Sequence, residues 1–236
     1  MNILALLREA VWPHRTICLC CGRPSRGGHL CKDCEEGLET RRITGLICPI
    51  CGHPLEKNQC AFCDGKGTMV MRAAWVYGEE ARELVHVLKY GGVAAAAQVM
   101  ADGMADVARG LRLPPETVIT WPTMPADRAL ERGIDHGALL AEALGERLSL
   151  PAKRLLLRSG RIAKETQAGR SGAERRTRLK GAFDCAEKLD GPVLLVDDVI
   201  TTGSTAAACA ECLMAAGATR VTVLTATQTP KHSEKR

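Results

Sequence analysis

The run Val193-Leu194-Leu195-Val196-Asp197-Asp198-Val199-Ile200-Thr201-Thr202-Gly203-Ser204-Thr205 constrains this chain more than any other stretch. Four consecutive apolar residues read as a strand buried on both faces. Two adjacent carboxylates end that strand, a Thr/Gly/Ser loop follows, and Ala206 to Ala216 reads as an Ala-rich helix. A strand, a turn and a helix N-terminus in this order make an anion site, because loop N–H groups and the helix dipole both favour negative charge there. Gly203 lets the backbone approach a ligand or adopt positive φ. Thr201, Thr202, Ser204 and Thr205 add hydroxyl donors, and Asp197 and Asp198 offer acceptors for a ribose diol or hold Mg²⁺ through water. A sugar phosphate satisfies both halves of such a site. An ordinary βα turn capped by Ser204 or Thr205 explains the hydroxyls but not the paired acids.

Two hydrophobes, two acids, a hydrophobe and Thr-Thr-Gly in this order closely resemble the phosphoribosyl diphosphate (PRPP) signature of the type I phosphoribosyltransferase fold.

The second strong feature is cysteine spacing. Nine of the 12 cysteines precede residue 64, and eight of them form four Cys-x-x-Cys pairs: Cys18/Cys21, Cys31/Cys34, Cys48/Cys51 and Cys60/Cys63. Each pair presents two thiolates on one tight turn, and two such knuckles complete a tetrahedral Cys₄ zinc site. Gly22 and Gly52 follow the second cysteine of their pairs, as such turns require. The simplest assignment is sequential, with Cys18, Cys21, Cys31 and Cys34 on one Zn²⁺ and Cys48, Cys51, Cys60 and Cys63 on a second. A crossed pairing and a disulfide or redox module are the alternatives, and metal is favoured in a reducing compartment. So short a segment has few core residues and folds on its metal. Cys20 is spare, or replaces a neighbour by slippage. Cys209 and Cys212 fall among small residues of a predicted helix and read as packing residues.

The 236 residues suffice for one α/β domain and a small module, and 46% hydrophobic with 25% charged residues is an ordinary globular composition. No apolar run approaches the ~18 residues of a membrane span. The stretch Met1–Val11 reads as an amphipathic helix through Ile3, Leu4, Leu7 and Val11 rather than a signal peptide, so a cytoplasmic protein without membrane insertion is expected. The formal net charge is +5. Arg158, Arg161, Lys164, Arg170, Arg175, Arg176, Arg178 and Lys180 face only Glu165 and Glu174 in their stretch. That surplus is either a solvated face or a basic loop over diphosphate or a nucleic-acid backbone. Aromatic residues make up 3% of the chain, too few for a base-stacking platform.

Periodicity predicts strands at Thr68–Tyr77, Thr117–Trp121, Lys153–Leu157, Ala182–Cys185, Pro192–Val196 and Arg220–Ala226. It predicts helices at Glu79–Lys89, Ala94–Leu111, Ile134–Leu148, Ala173–Leu179 and Ala206–Ala216. Strands alternating with helices imply an α/β fold with a mostly parallel sheet, whose ligands sit at the carboxyl ends of strands. The division expected is 1–17 as an N-terminal helix, 18–66 as a double zinc ribbon, 67–228 as a phosphoribosyltransferase-like domain and 229–236 as a disordered tail.

The paired ribbons, Leu88-Lys89-Tyr90-Gly91-Gly92, Arg128 with Arg132-Gly133, Gln167-Ala168-Gly169 with Ser171, Glu174, Arg175 and Arg176, and the acid-pair run together resemble the ComF family (ComF, ComFC and GntX-type proteins). The likeness runs from about Cys18 to Ala226. It implies a double zinc ribbon ahead of a type I phosphoribosyltransferase domain, with a link to DNA uptake. In that picture a 5′-phosphate lies on Thr201–Thr205, and Asp197 and Asp198 take the ribose hydroxyls and Mg²⁺. Pro122, Thr123, Arg128 and Arg132 meet phosphate groups, and Lys164 with Arg161 and Arg170 closes over diphosphate. Catalytic roles fall to Asp197, Asp198 and Lys164. The implied partners are PRPP or a related sugar phosphate, single-stranded DNA, and a DNA-uptake helicase or other competence proteins. A non-catalytic zinc-ribbon scaffold or DNA-binding module with a vestigial PRPP site is the alternative. The family's usual Arg-Gly-Phe-Asn-Gln is here Arg132-Gly133-Ile134-Asp135-His136, and its Val-Pro-Val-Pro loop is here Trp121-Pro122-Thr123-Met124-Pro125. Lys89 and Tyr90 either bound the cleft or end a helix. His136 is either a base or, more in keeping with a helix start, a hydrogen-bonded residue.

Overall fold

The structure, a computed structural model, describes residues 15–55, 60, 63, 69–124, 133–159 and 181–230. Residues 1–14 of the expected N-terminal helix, the helix at 173–179 and the tail from 231 lie outside the described residues, while Arg15–Ile17, expected within that helix, form a strand.

A four-stranded, wholly parallel sheet forms the centre. Its strands are β3 (Val70–Val76), β4 (Val118–Thr120), β7 (Pro192–Ile200) and β8 (Arg220–Gln228), in the order β3-β8-β7-β4. The connecting helices α2 (Glu79–Gly91), α3 (Ala94–Gly110) and α4 (His136–Leu148) pack on one face, and α5 (Ser204–Ala215) packs on the other. A short antiparallel pair, β5 (Leu156–Arg158) with β6 (Phe183–Cys185), leaves the sheet and brackets the basic stretch 160–180 in sequence. This is the mostly parallel α/β architecture that periodicity implied.

β7 has apolar residues at every position of its first half because both faces are covered. Leu194 and Val196 enter the core under α2, α3 and α4, while Val193 and Leu195 enter the core under α5. The strand does not stop at the acid pair, as the sequence suggested, but runs on to Ile200. Aspartate is depleted in strands, which is why the pattern ended early. Here β8 keeps pairing, with Asp197 opposite Thr225 and Ile200 opposite Gln228, and the Thr227 hydroxyl donates to the Asp198 carbonyl at 3.1 Å. The alternation of strand side chains therefore turns Asp197 and Asp198 to opposite faces of the sheet.

The cysteine-rich segment holds β1 (Arg15–Ile17), β2 (Pro24–Arg26) and α1 (Lys32–Thr40), none of which periodicity revealed. It does not stand apart from the sheet. Residues 41–53 run along the free edge of β3, where Val76 N donates to Arg41 O (2.8 Å), Ile43 N to Ala74 O (2.9 Å) and Met71 N to Ile50 O (2.7 Å). An open strand edge is thereby covered. Arg41 pairs with Glu80 of α2 at 2.8 Å, and Arg42 lies 5.4 Å over the Trp75 ring. At the other end Gln228 Nε2 donates to Cys51 O at 3.3 Å and meets the His53 ring.

Gly52 makes this contact feasible. Its φ is +71°, and a Cβ there would come within 2.5 Å of the Met71 carbonyl oxygen. Replacing it strains the backbone by about 1–3 kcal/mol and adds a clash with β3. Gly52→Ala is expected to lower the thermal midpoint by roughly 5 °C. An unchanged melting curve would mean that this contact carries no weight.

Candidate functional site

The site lies at the carboxyl end of β7. A cavity of about 90 Å³ is lined by Asp197, Val199, Ile200, residues 201–206 and Thr225. That is room for roughly three water molecules' bulk. Gly203 takes φ +72° as the N-cap of α5, a conformation that favours glycine. The N-cap glycine has no side chain to cap the helix and no acidic residue sits in its first turn, so apart from a 3.4 Å bond from Ser204 N–H to the Thr202 hydroxyl the positive end of the dipole faces the loop. Thr202 and Ser204 bond hydroxyl to hydroxyl at 2.8 Å, which holds the turn. Thr201 and Thr202 are exposed, and Ser204 is buried. Thus all five predicted loop residues and Asp197 converge on one small cavity.

Burial, with the charge of Asp198 added to it, pushes the Asp197 carboxyl up to about 7. Its Oδ1 accepts the Asp198 N–H at 2.9 Å. Asp198 does not line the cavity. Its buried carboxylate lies on the other face, with Lys89 Nζ 2.8 Å from Oδ1 and His136 Nε2 3.6 Å from Oδ2. Lys89 is therefore part of the acid-pair environment and not only a helix end, whereas Tyr90 is exposed and packs on His86. His136 is largely buried beside Asp198.

β4 pairs in parallel with β7, so the loop after it leaves at the same end of the sheet. Thr123 donates its hydroxyl to Leu156 O and accepts from Arg158 Nε at 3.2 Å through its carbonyl, which ties the loop to β5. Pro122 and Thr123 are half-buried there. Sequence reasoning missed the network behind this loop. Asp135 N-caps α4 by accepting from Ala138 N at 3.1 Å, and it also accepts from Trp121 Nε1 (3.1 Å) and Arg154 Nη2 (2.8 Å). An Asp just before a helical pattern was the available signal. Of the remaining predicted residues, Arg128, Arg132, Arg161, Lys164 and Arg170 lie outside the described residues.

The eight cysteines form two groups, Cys18/Cys21/Cys31/Cys34 and Cys48/Cys51/Cys60/Cys63, whose sulfurs lie within 4.8 Å of one another. This is the sequential pairing, not the crossed one. Tetrahedral Zn²⁺ with bonds of about 2.3 Å needs sulfurs roughly 3.8 Å apart. The Cys21–Cys31, Cys48–Cys63 and Cys51–Cys60 separations are 3.6, 3.5 and 3.4 Å, so the donor sets fit structural zinc. The first knuckle of each group closes with an N–H···O bond, from Gly22 to Cys18 and from Gly52 to Cys48, both 3.0 Å. A hydrogen bond from Arg23 lowers the Cys21 thiol to about 6, which favours the thiolate a metal requires. Cys20 takes no part: burial pushes its thiol up to about 12, and it bonds the Glu80 carbonyl at 3.6 Å. Cys209 is fully buried in the core under α5, as a packing residue should be.

A family model described as a double zinc ribbon domain matches residues 7–65. The chain is 30% identical over 220 residues to the DNA utilization protein YhgH of Escherichia coli O157:H7, covering 88% of this chain and 94% of that protein. It is 26% identical over 201 residues to competence protein ComFC of Bacillus subtilis, covering 80% and 79%. Among solved structures it is similar to the glutamine phosphoribosylpyrophosphate amidotransferase from B. subtilis, at 19% identity and a TM-score of 0.38 over 59% of this chain and 30% of that one. No helix among the described residues is long and apolar enough to cross a membrane.

Because the second cysteine group sits against β3 and β8, metal loss should reach the sheet. Stripping with a strong chelator is expected to release two zinc ions per chain and lower the midpoint of the main unfolding transition by roughly 5 °C or more. Release of zinc with the main transition unmoved would contradict this coupling.

Proposed function

The chain belongs to the ComF family, and on that premise we propose that it binds a phosphoribosyl ligand such as PRPP, with Mg²⁺, in the uptake or utilization of DNA. The observation that carries the reading is the convergence of Asp197 and the 201–205 loop on one cavity at the carboxyl end of a central parallel strand. In this reading the 5′-phosphate accepts N–H bonds from the first turn of α5 and hydroxyl bonds from the loop. Asp197 accepts from the ribose hydroxyls. Pro122 and Thr123 border the diphosphate, and the Mg²⁺ that accompanies PRPP offsets part of its charge. Lys164, Arg161 and Arg170 are the cations that the family resemblance places over the diphosphate, and Arg128 and Arg132 are its further candidates for phosphate.

The names of the relatives, DNA utilization protein and competence protein, support the link to DNA. Single-stranded DNA is the proposed polyanion partner, met in the cytoplasm through the ribbons and the basic stretch 158–180. Contacts to its phosphates release counterions, so affinity should fall steeply as salt rises.

Calorimetric titration of PRPP with Mg²⁺ tests the ligand. Saturable binding near one per chain is expected, with loss in the Asp197→Ala/Asp198→Ala protein. No binding by a folded, zinc-loaded protein would contradict the reading. For DNA, a fluorescence titration with a labelled oligonucleotide is expected to lose about tenfold or more in affinity between 50 and 200 mM salt, and a flat salt response would reject the phosphate-contact model.

A further inference from the structure

The sheet stops holding the chain just before the loop that follows β4. β4 pairs with β7 through Thr120 and no further, so strand pairing does not place Trp121, Pro122, Thr123 and Met124. Side-chain ties on both sides hold this loop instead. Toward β5, Thr123 bonds Leu156 O and Arg158 Nε. Toward α4, the Trp121 ring is buried at 4% exposure. It packs so closely on Gly137 that a Cβ there would lie 2.6 Å from Trp121 Cδ1. Its Nε1–H donates to Asp135 Oδ2 at 3.1 Å.

Asp135 is the centre of the α4 tie. Its Oδ1 caps the helix by accepting from Ala138 N at 3.1 Å. Its Oδ2 accepts from Trp121 Nε1 and also from Arg154 Nη2, the latter at 2.8 Å. Donors thus meet both oxygens, and only a carboxylate accepts at both. Asparagine caps helices as well as aspartate does, but with its oxygen on Ala138 it would turn an NH₂ toward the indole and the guanidinium. Arg154 is half exposed, so its ion pair is a weak one. The bond to the buried indole is the one that fastens the loop.

We infer that Asp135, acting through Trp121, is a positioning residue for the diphosphate half of the ligand: it fastens the start of the 122–124 loop to the first turn of α4. The 5′-phosphate rests on a different loop, the one after β7. The inference rests on the phosphoribosyl reading and deepens it, since the two halves of the ligand then lie on two separately held loops. Loosening the α4 tie should therefore weaken a ligand that carries a diphosphate and spare one that does not.

The experiment compares the affinities of PRPP and ribose 5-phosphate, both with Mg²⁺, in the full-length, zinc-loaded wild type, D135N, W121F and the double variant. Wild type is expected to hold PRPP about tenfold or more tighter than ribose 5-phosphate, because the diphosphate adds charge-assisted bonds. A displaced loop loses such contacts, so D135N is expected to bind PRPP about tenfold or more weakly and ribose 5-phosphate within about threefold of wild type. W121F keeps the buried ring and removes only the N–H, and it is expected to lose PRPP affinity in the same selective way. The double variant should bind PRPP within about twofold of D135N, since both changes break one bond. Wild-type PRPP affinity in D135N and W121F would overturn the inference, and so would equal losses for the two ligands, which signal general damage. Should D135N not fold, W121F decides the question. Should wild type bind ribose 5-phosphate as tightly as PRPP, the inference fails while the phosphate cradle stands. Should it bind neither, the phosphoribosyl reading fails, and the tie is then read without ligand from amide hydrogen exchange. Exchange about tenfold faster at residues 121–124 in D135N, with β7 unchanged, supports the tie, and unaltered exchange there rejects it.

Discussion

Everything distinctive in this molecule hangs on one strand hydrogen-bonded on both sides. β7 pairs with β8 along its length and with β4 over its first half, and its apolar residues feed two cores in alternation. A strand so constrained cannot slip by one residue without exchanging its faces. The two carboxylates that continue it therefore inherit fixed and opposite directions. One opens onto the loop cavity, and the other enters the layer beneath α2 and α4 and needs a cation there. Lys89 is that cation.

The cysteine-rich segment extends the same logic to the sheet's edge. β3 is an edge strand, and residues 41–53 bond to it where a further strand would otherwise lie. The second thiolate group is therefore wired to the sheet through Ile50, Cys51 and His53, as well as closed on itself. Met71 links the two regions, since its N–H meets Ile50 and its sulfur lies 3.7 Å from the position a Cβ would take at Gly203. A structural metal in such a place stabilises the strand order next to the ligand loop, and not only its own knuckle.

Much of this was legible in the residues. The apolar run of β7 and the four Cys-x-x-Cys pairs announce themselves by local chemistry, and the structure reproduces both; α5, expected from Ala206, starts two residues earlier at Ser204, behind Gly203. The second half of β7 was not legible, because the two aspartates argue against a strand and only pairing with β8 overrides them. α1 and the short β1–β2 ladder were hidden for a similar reason: thiolate clustering, not hydrophobic periodicity, organises that segment. The docking of the ribbon on β3 depends on backbone bonds between residues some twenty to thirty-five positions apart, which leave no pattern in composition. The split of the acid pair could have been read from strand alternation alone, had the strand been carried two residues further. The partnership of Lys89 with Asp198 could not, since it joins positions separated by more than a hundred residues.

If the loop after β7 is a phosphate cradle with Asp197 as its ribose acceptor, a bound sugar phosphate must show both contacts. The most direct measurement is a crystal structure of the zinc-loaded protein with ribose 5-phosphate. The expected result is the phosphate within hydrogen-bond distance of the Ser204 and Thr205 N–H groups and a ribose hydroxyl on Asp197. A phosphate bound elsewhere, or a sugar with no hydroxyl on Asp197, would contradict it.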